Sequence, residues 1–129
     1  MTTEEKTLDL SGFTGTAAYH GYGSLLGSSL TDGTFFLAEN AEAYWLFDLI
    51  DSHLLAQRDL PFAVTTLTVD LENSTAEAVI TDGDETIVAQ QTIGFTDFPL
   101  SEVKIYSVQS GVSPRSGMTR WVHLLPSEY

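Results

Sequence analysis

The chain has 129 residues, 18 acidic against 5 basic side chains, a formal net charge of −13 and no cysteine. That length suits one domain with its own core, and a hydrophobic content of 43% speaks against intrinsic disorder. The missing cysteine removes disulfides, thiolate catalysis and Cys-ligated zinc or iron–sulfur centres.

The imbalance comes from depletion of bases. No Lys or Arg occurs from Thr7 to Gln57, nor from Asp59 to Val103. Such a surface repels phosphate backbones and anionic headgroups, which argues against direct nucleic-acid binding and membrane docking. Two readings of the acidity stay open: solubility or adaptation to a salty cytoplasm, and a negative surface that engages a basic protein partner.

Residues 1–12 read as a polar tail or loosely docked segment, unlike a secretory signal or transit peptide. Residues 13–129 read as a single α+β domain. The Gly-rich stretch from Phe13 to Ser29 lacks phosphate-loop spacing and reads as a turn-rich connector with a short strand. Thr31-Asp32-Gly33 is a turn signal, and Thr34 to Leu37 reads as a short buried strand.

The clearest element is a helix capped by Asn40, with Glu42 in its first turn, running to about Gln57. Trp45, Leu46, Leu49, Ile50 and Leu54 form its apolar face, while Asp48, Asp51 and Ser52 project opposite. Leu60-Pro61 then stops it.

Beyond Pro61 the period becomes two. Strands are predicted over Phe62–Leu71, Ala76–Thr81 and Thr86–Phe95, joined by a turn at Glu72–Thr75 and an Asp82-Gly83 hairpin. They form an antiparallel meander. An ordered corner at Thr96–Leu100, a strand over Val103–Val108, a flexible loop over Gln109–Gly117 and a last strand over Met118–Leu125 follow. The expected fold is an antiparallel sheet of about five strands with one main helix packed on one face. No segment is apolar enough to span a bilayer, so a cytoplasmic protein is expected.

The chemical inventory is thin. His53 projects onto the apolar side of the helix, as a core or rim histidine would. No His-x-x-x-His spacing supports a zinc site, so no metal or cofactor is expected. Asp82, Asp84 and Glu85 crowd a hairpin tip without a calcium-loop pattern. They serve better as a patch of negative potential, with Asp48 and Asp51 on the helix as a second patch. No nucleophile signature occurs, and Trp45 and Trp121 are packing residues first.

Leu30-Thr31-Asp32-Gly33, Ala43-Tyr44-Trp45-Leu46, Ser52-His53, Thr96-Asp97-Phe98-Pro99-Leu100 and Leu124 to Tyr129 together resemble an uncharacterised family of small bacterial proteins. That family is found on chromosomes and mobile elements. The resemblance implies one domain over roughly residues 10–129, with no assigned activity, and it places His53 and Asp97 in recurring motifs. The chain departs from it by a Ser/Gly/Pro-rich insertion around 109–117.

The leading expectation is a non-enzymatic interaction protein whose acids meet a basic partner. Its sharpest version is an inhibitor of a nucleic-acid-processing or defence protein. The alternatives are a small enzyme with acid–base chemistry at His53 and Asp97, and a homodimer built by sheet edges or an aromatic patch.

Overall fold

The computed structural model describes residues 8–24, 26–57, 59–112, 117 and 119–129. Among these residues seven strands form one sheet: β1 (His20–Gly21), β2 (Ser29–Leu30), β3 (Phe62–Asp70), β4 (Thr75–Thr81), β5 (Ile87–Ile93), β6 (Glu102–Val112) and β7 (Thr119–Leu124). Their order is β1-β2-β7-β6-β3-β4-β5. All neighbours run antiparallel except β2 and β7, which are parallel. The α+β class is as expected, but the sheet is mixed and larger than five strands.

The described residues form two helices, α1 (Asp32–Asn40) and α2 (Tyr44–Leu54), rather than one main helix. Thr31-Asp32-Gly33 opens α1 instead of making a turn. Thr31 is extended, and its hydroxyl and that of Thr34 form a reciprocal capping box. The run expected as a strand is therefore helical. Thr34, Leu37 and Ala38 complete a buried face at helical spacing, which four apolar residues alone do not distinguish from a strand. Asn40 closes α1, donating from Nδ2 to the Phe36 carbonyl at 2.8 Å, and does not cap the next helix. Glu42, at φ 51°, makes the break between the two helices, so α2 begins only at Tyr44.

The meander appears as β3-β4-β5. Its second connection is wider than a two-residue turn. Asp82 N donates to Thr86 O, and both Gly83 (φ 94°) and Glu85 (φ 74°) take left-handed backbone. A bulge opposite Ile80/Thr81 inserts Val88 into β5 and shifts register there. Ile87, expected inside, is consequently exposed, as are Leu71 and Phe95 beyond their strand ends. β6 continues into the predicted loop as far as Val112; the remainder of that loop lies largely outside the described residues.

One core joins Leu37, Leu46, Phe47 and Ile50 of the helices to Ala63, Leu67, Ile80, Ile105 and Trp121 of the strands. Alternate residues of the same strands face away from the helices, giving the sheet an outer face. Thr65 sits on the core side with its hydroxyl unpaired among the described residues. Thr65→Val, of nearly the same shape, removes an unsatisfied buried oxygen. It is expected to raise stability by about 1 kcal/mol in urea denaturation, with an unchanged slope.

Candidate functional site

The outer face gathers acids and aromatics into one continuous surface. Phe62 on β3 meets Tyr106 on the paired strand β6, edge to face at 5.1 Å, and Tyr129 stands 5.5 Å from each ring. The hairpin tip leans on the same cluster: a Cβ at Gly83 would lie 3.1 Å from the Phe62 ring, so a larger residue would push the tip away. Beside Tyr129 opens a cavity of about 250 Å³, floored by Val108, Val122 and Leu124 and flanked by Tyr19. Tyr19 and Tyr129 are 65% and 76% exposed. Large apolar rings left in water at a cleft are a recognised mark of a contact surface.

Of the acids at the tip, Asp82 is committed to the turn. Its Oδ1 accepts from Asp84 N at 2.8 Å and from Thr86 N at 3.3 Å. Asp84 and Glu85 are exposed, as is Asp48 on α2. Every described carboxylate except Asp51 is wholly or partly exposed. The two carboxylate ion pairs among the described residues both use histidine, His20–Asp32 and His123–Asp51, and neither uses Lys or Arg. The negative field is thus left uncompensated locally.

Asp51 corrects the expectation that it lies on the exposed face of the helix. It is only 5% exposed. Tyr22 and Ser24 close over that edge of α2 and bring it hydroxyls. Tyr22 and Ser24 both donate to Oδ2, the latter at 2.7 Å, and His123 Nε2 meets Oδ1 at 2.9 Å. His123 Nδ1 in turn lies 2.7 Å from Ser107 Oγ, on the neighbouring strand at the paired position. Burial opposes ionisation of Asp51. The hydrogen bond and charge of His123, with the bonds from Tyr22 and Ser24, outweigh it and hold the carboxyl below its ordinary range. The same burial and the adjacent carboxylate push the Tyr22 phenol upwards, so it stays a donor.

Serine, histidine and aspartate in one chain invite comparison with a nucleophilic triad, but the chemistry is sealed. Ser107 and His123 are both 0% exposed, so no substrate reaches the hydroxyl. A cavity of about 370 Å³ lined by Gly23, Leu26, Asp48 and Ser52 reaches only the Asp51 end. The Asp51 carboxylate accepts a hydrogen bond from Nε2, and the Ser107 hydroxyl occupies the hydrogen-bonding position at Nδ1. The network ties helix, connector and two strands together. Sequence reasoning missed it because its bonded pairs are 16 to 72 positions apart. One signal existed: Asp51 follows Phe47 by four residues, on the same side of the helix as a core aromatic.

The other histidines are also occupied. His53 Nε2 meets Gln91 Oε1 at 2.7 Å on β5, while Asp97 is exposed on the corner after that strand. His20 stacks on Phe35 at 4.2 Å and meets Asp32, whose carboxyl is held low chiefly by the Ala17 N–H and then by His20. Among the described residues no three His, Asp or Glu side chains are grouped to hold a metal ion.

The sequence blocks noted above pack in pairs. Glu128, in the 3-10 turn Pro126–Glu128, reaches the start of α1. Its Oε1 accepts from Thr31 Oγ1 at 2.6 Å and from Leu125 N, and its Oε2 accepts from Gly33 N, both at 2.9 Å. Carboxylate at a helix N-terminus is favourable. Phe98, from the corner block, is buried edge to face with Trp45. A model of a family of unknown function covers residues 4–129.

The chain belongs to the DUF6876 family. No curated protein and no solved structure matches it. Within this DUF6876 chain, the Thr31–Gly33 and Leu125–Glu128 blocks serve the fold, and among the described residues no helix is long and apolar enough to cross a membrane.

Proposed function

We propose that the chain is a non-enzymatic interaction protein of the cytoplasm, binding a basic protein partner through the outer face of its sheet. The observation that supports this most is the contiguity of Asp82, Asp84 and Glu85 with the Phe62–Tyr106–Tyr129 cluster and its cleft. Lys and Arg side chains are recognised by such a pairing. Carboxylates supply charge, and tyrosine faces take the cation and its alkyl stem. A channel lined with Lys and Arg, as in a nucleic-acid-processing or defence protein, has the complementary potential. Occupying that channel would inhibit the partner by excluding its polyanionic substrate. Asp48 on α2 adds negative potential away from the tip.

The test is capture from a bacterial lysate on the immobilised chain, with elution by a salt gradient. A partner held this way elutes well below molar salt, because screening shortens the reach of charge to about 3 Å at 1 M. Asp84→Asn/Glu85→Gln is expected to weaken retention about tenfold, and Tyr129→Ala to weaken it without changing the salt slope. A partner retained unchanged in molar salt, or bound equally by the neutralised variant, overturns the reading.

A further inference from the structure

The cavity against α2 is used by neither the core nor the outer-face contact. It holds about 370 Å³ and is lined by Gly23, Leu26, Asp48, Asp51, Ser52 and Leu55. That volume falls in the usual range of small-molecule sites, about 300–1,000 Å³. Its connector wall is pinned to the helix, because the Ser24 hydroxyl donates to Asp51 Oδ2 and accepts from Leu26 N at 3.1 Å. Leu26 is buried, and Leu55 is a large apolar residue left 44% exposed. The polar side chains of the lining are all of one kind. Asp48 and Asp51 are carboxylates, and Ser52 spends its proton on the Leu49 carbonyl at 2.7 Å, so the three offer acceptors only. Three bonds fall on the two oxygens of Asp51, which between them have about four acceptor positions, so one on Oδ1 is unused. Neither carboxylate meets a Lys or Arg among the described residues. The two stand three positions apart on the helix, a spacing that makes their side chains neighbours, with Cβ atoms about 5–6 Å apart.

We propose that this cavity is a binding site for a short aliphatic diamine. The occupant follows from the lining. Acceptors without donors select a donor-rich cation and reject carboxylates and phosphates. A bare metal ion is a poorer match: calcium takes six to eight oxygen ligands, and among the described residues no three His, Asp or Glu side chains are grouped. Leu26 and Leu55 suit methylene groups, as the stem of a long cationic side chain suits an apolar surface. Two adjacent carboxylates call for two ammonium groups. One ammonium is taken by Asp51 and Ser52, the other by Asp48, and the hydrocarbon between them lies along the leucines. A lysine side chain of a protein partner would bring a single ammonium and leave one carboxylate unmatched. Binding also relieves the repulsion that a like-charged pair at this spacing carries. The cavity is apart from the outer face of the sheet, so this inference and the basic-partner reading stand or fall separately.

The experiment is titration of the full chain with α,ω-diaminobutane, followed by calorimetry and by amide chemical shifts. The expected result is saturable binding of one diamine per chain, with shifts centred on Gly23, Leu26 and the Asp48–Leu55 turn of α2. Butylamine, with one ammonium, is expected to bind about tenfold more weakly, and butyrate not at all. Asp48→Asn removes an exposed carboxylate and is expected to cost about tenfold for the diamine and little for butylamine. Leu55→Lys, at a half-exposed position, sets the chain's own ammonium beside the two carboxylates and is expected to abolish binding. Both variants avoid the buried network, so folding is preserved. Asp84→Asn/Glu85→Gln, which lowers the net charge elsewhere, is expected to leave the affinity within about twofold. Binding that fails to saturate, shifts spread over the other acids, or an equal loss in Asp84→Asn/Glu85→Gln would mean diffuse attraction to a −13 chain and overturns the proposal. Affinity unchanged by Asp48→Asn and Leu55→Lys overturns it as well. So does magnesium that binds as tightly, or Nα-acetyl-lysine amide that binds as tightly, the latter pointing to a partner's side chain instead.

Discussion

Asp51→Ala is expected to cost about 3 kcal/mol, because removing one member of a buried charge-linked network strands the others. His123 loses the acceptor at Nε2 inside a core where it has no access to water, and Tyr22 and Ser24 lose theirs. For a chain of this size that is roughly a 10 °C drop in Tm. Asp48→Ala, three residues earlier and exposed, is expected to stay within about 0.5 kcal/mol.

Thermal and urea denaturation of the two variants decide the matter, and equal effects would contradict the assignment. The pH dependence has a definite sign. The Asp51 carboxyl is held below its ordinary 3.8 in the folded chain. Its contribution is therefore fully present above that value and is lost as pH falls through the lower folded pKa. Wild-type stability should fall more steeply below about pH 4 than that of Asp51→Ala.

Gly33→Ala reverses an ordinary rule. In an exposed helix interior, alanine is favoured over glycine by about 1 kcal/mol. At Gly33 the added carbon would sit 2.7 Å from Glu128 Oε1 and from Leu125 Cδ1. Both are ends of flexible side chains and can yield. The yielding, however, breaks the three bonds by which Glu128 holds Thr31, Gly33 and Leu125. A net loss of about 2 kcal/mol is expected. The diagnostic is the cycle with Glu128→Ala. In that background the carboxylate no longer has to move, and Gly33→Ala should become neutral or favourable. An additive cycle would show that Glu128 does not make the close contact.

The strands of the meander were legible because alternation survives any tertiary context: Leu67 and Val69, then Ala78 and Ile80, are inward as their parity requires. The first helix was not, because Thr34 to Leu37 is apolar without a period and the capping hydroxyls of Thr31 and Thr34 also suit a turn. The bulge at Val88 reversed the facing of Ile87, and nothing local marks an extra residue in a strand. For the site, the acids of the hairpin could be read from Asp82 to Glu85. Their aromatic neighbours could not, since Phe62, Tyr106 and Tyr129 meet only through strand pairing and the final turn. Asp51 was misplaced for a related reason. A helix projection knows the helix alone, whereas the Tyr22–Ser24 segment and His123 decide which flank is wet.

The last strand occupies the middle of the sheet, between β2 and β6. During synthesis, therefore, the N-terminal part of the chain lacks several of its partners until β7 is made. Leu30 waits for His123, Thr31 and Gly33 wait for Glu128, and Asp51 waits for the ring that holds it ionised. The meander from β3 to β5 can assemble from local contacts, but the rest cannot close until residues 119–129 have left the ribosome. A nascent chain stalled before β7 would lack Trp121 from its core and leave Leu30 and Asp51 without their partners, open to chaperones and proteases.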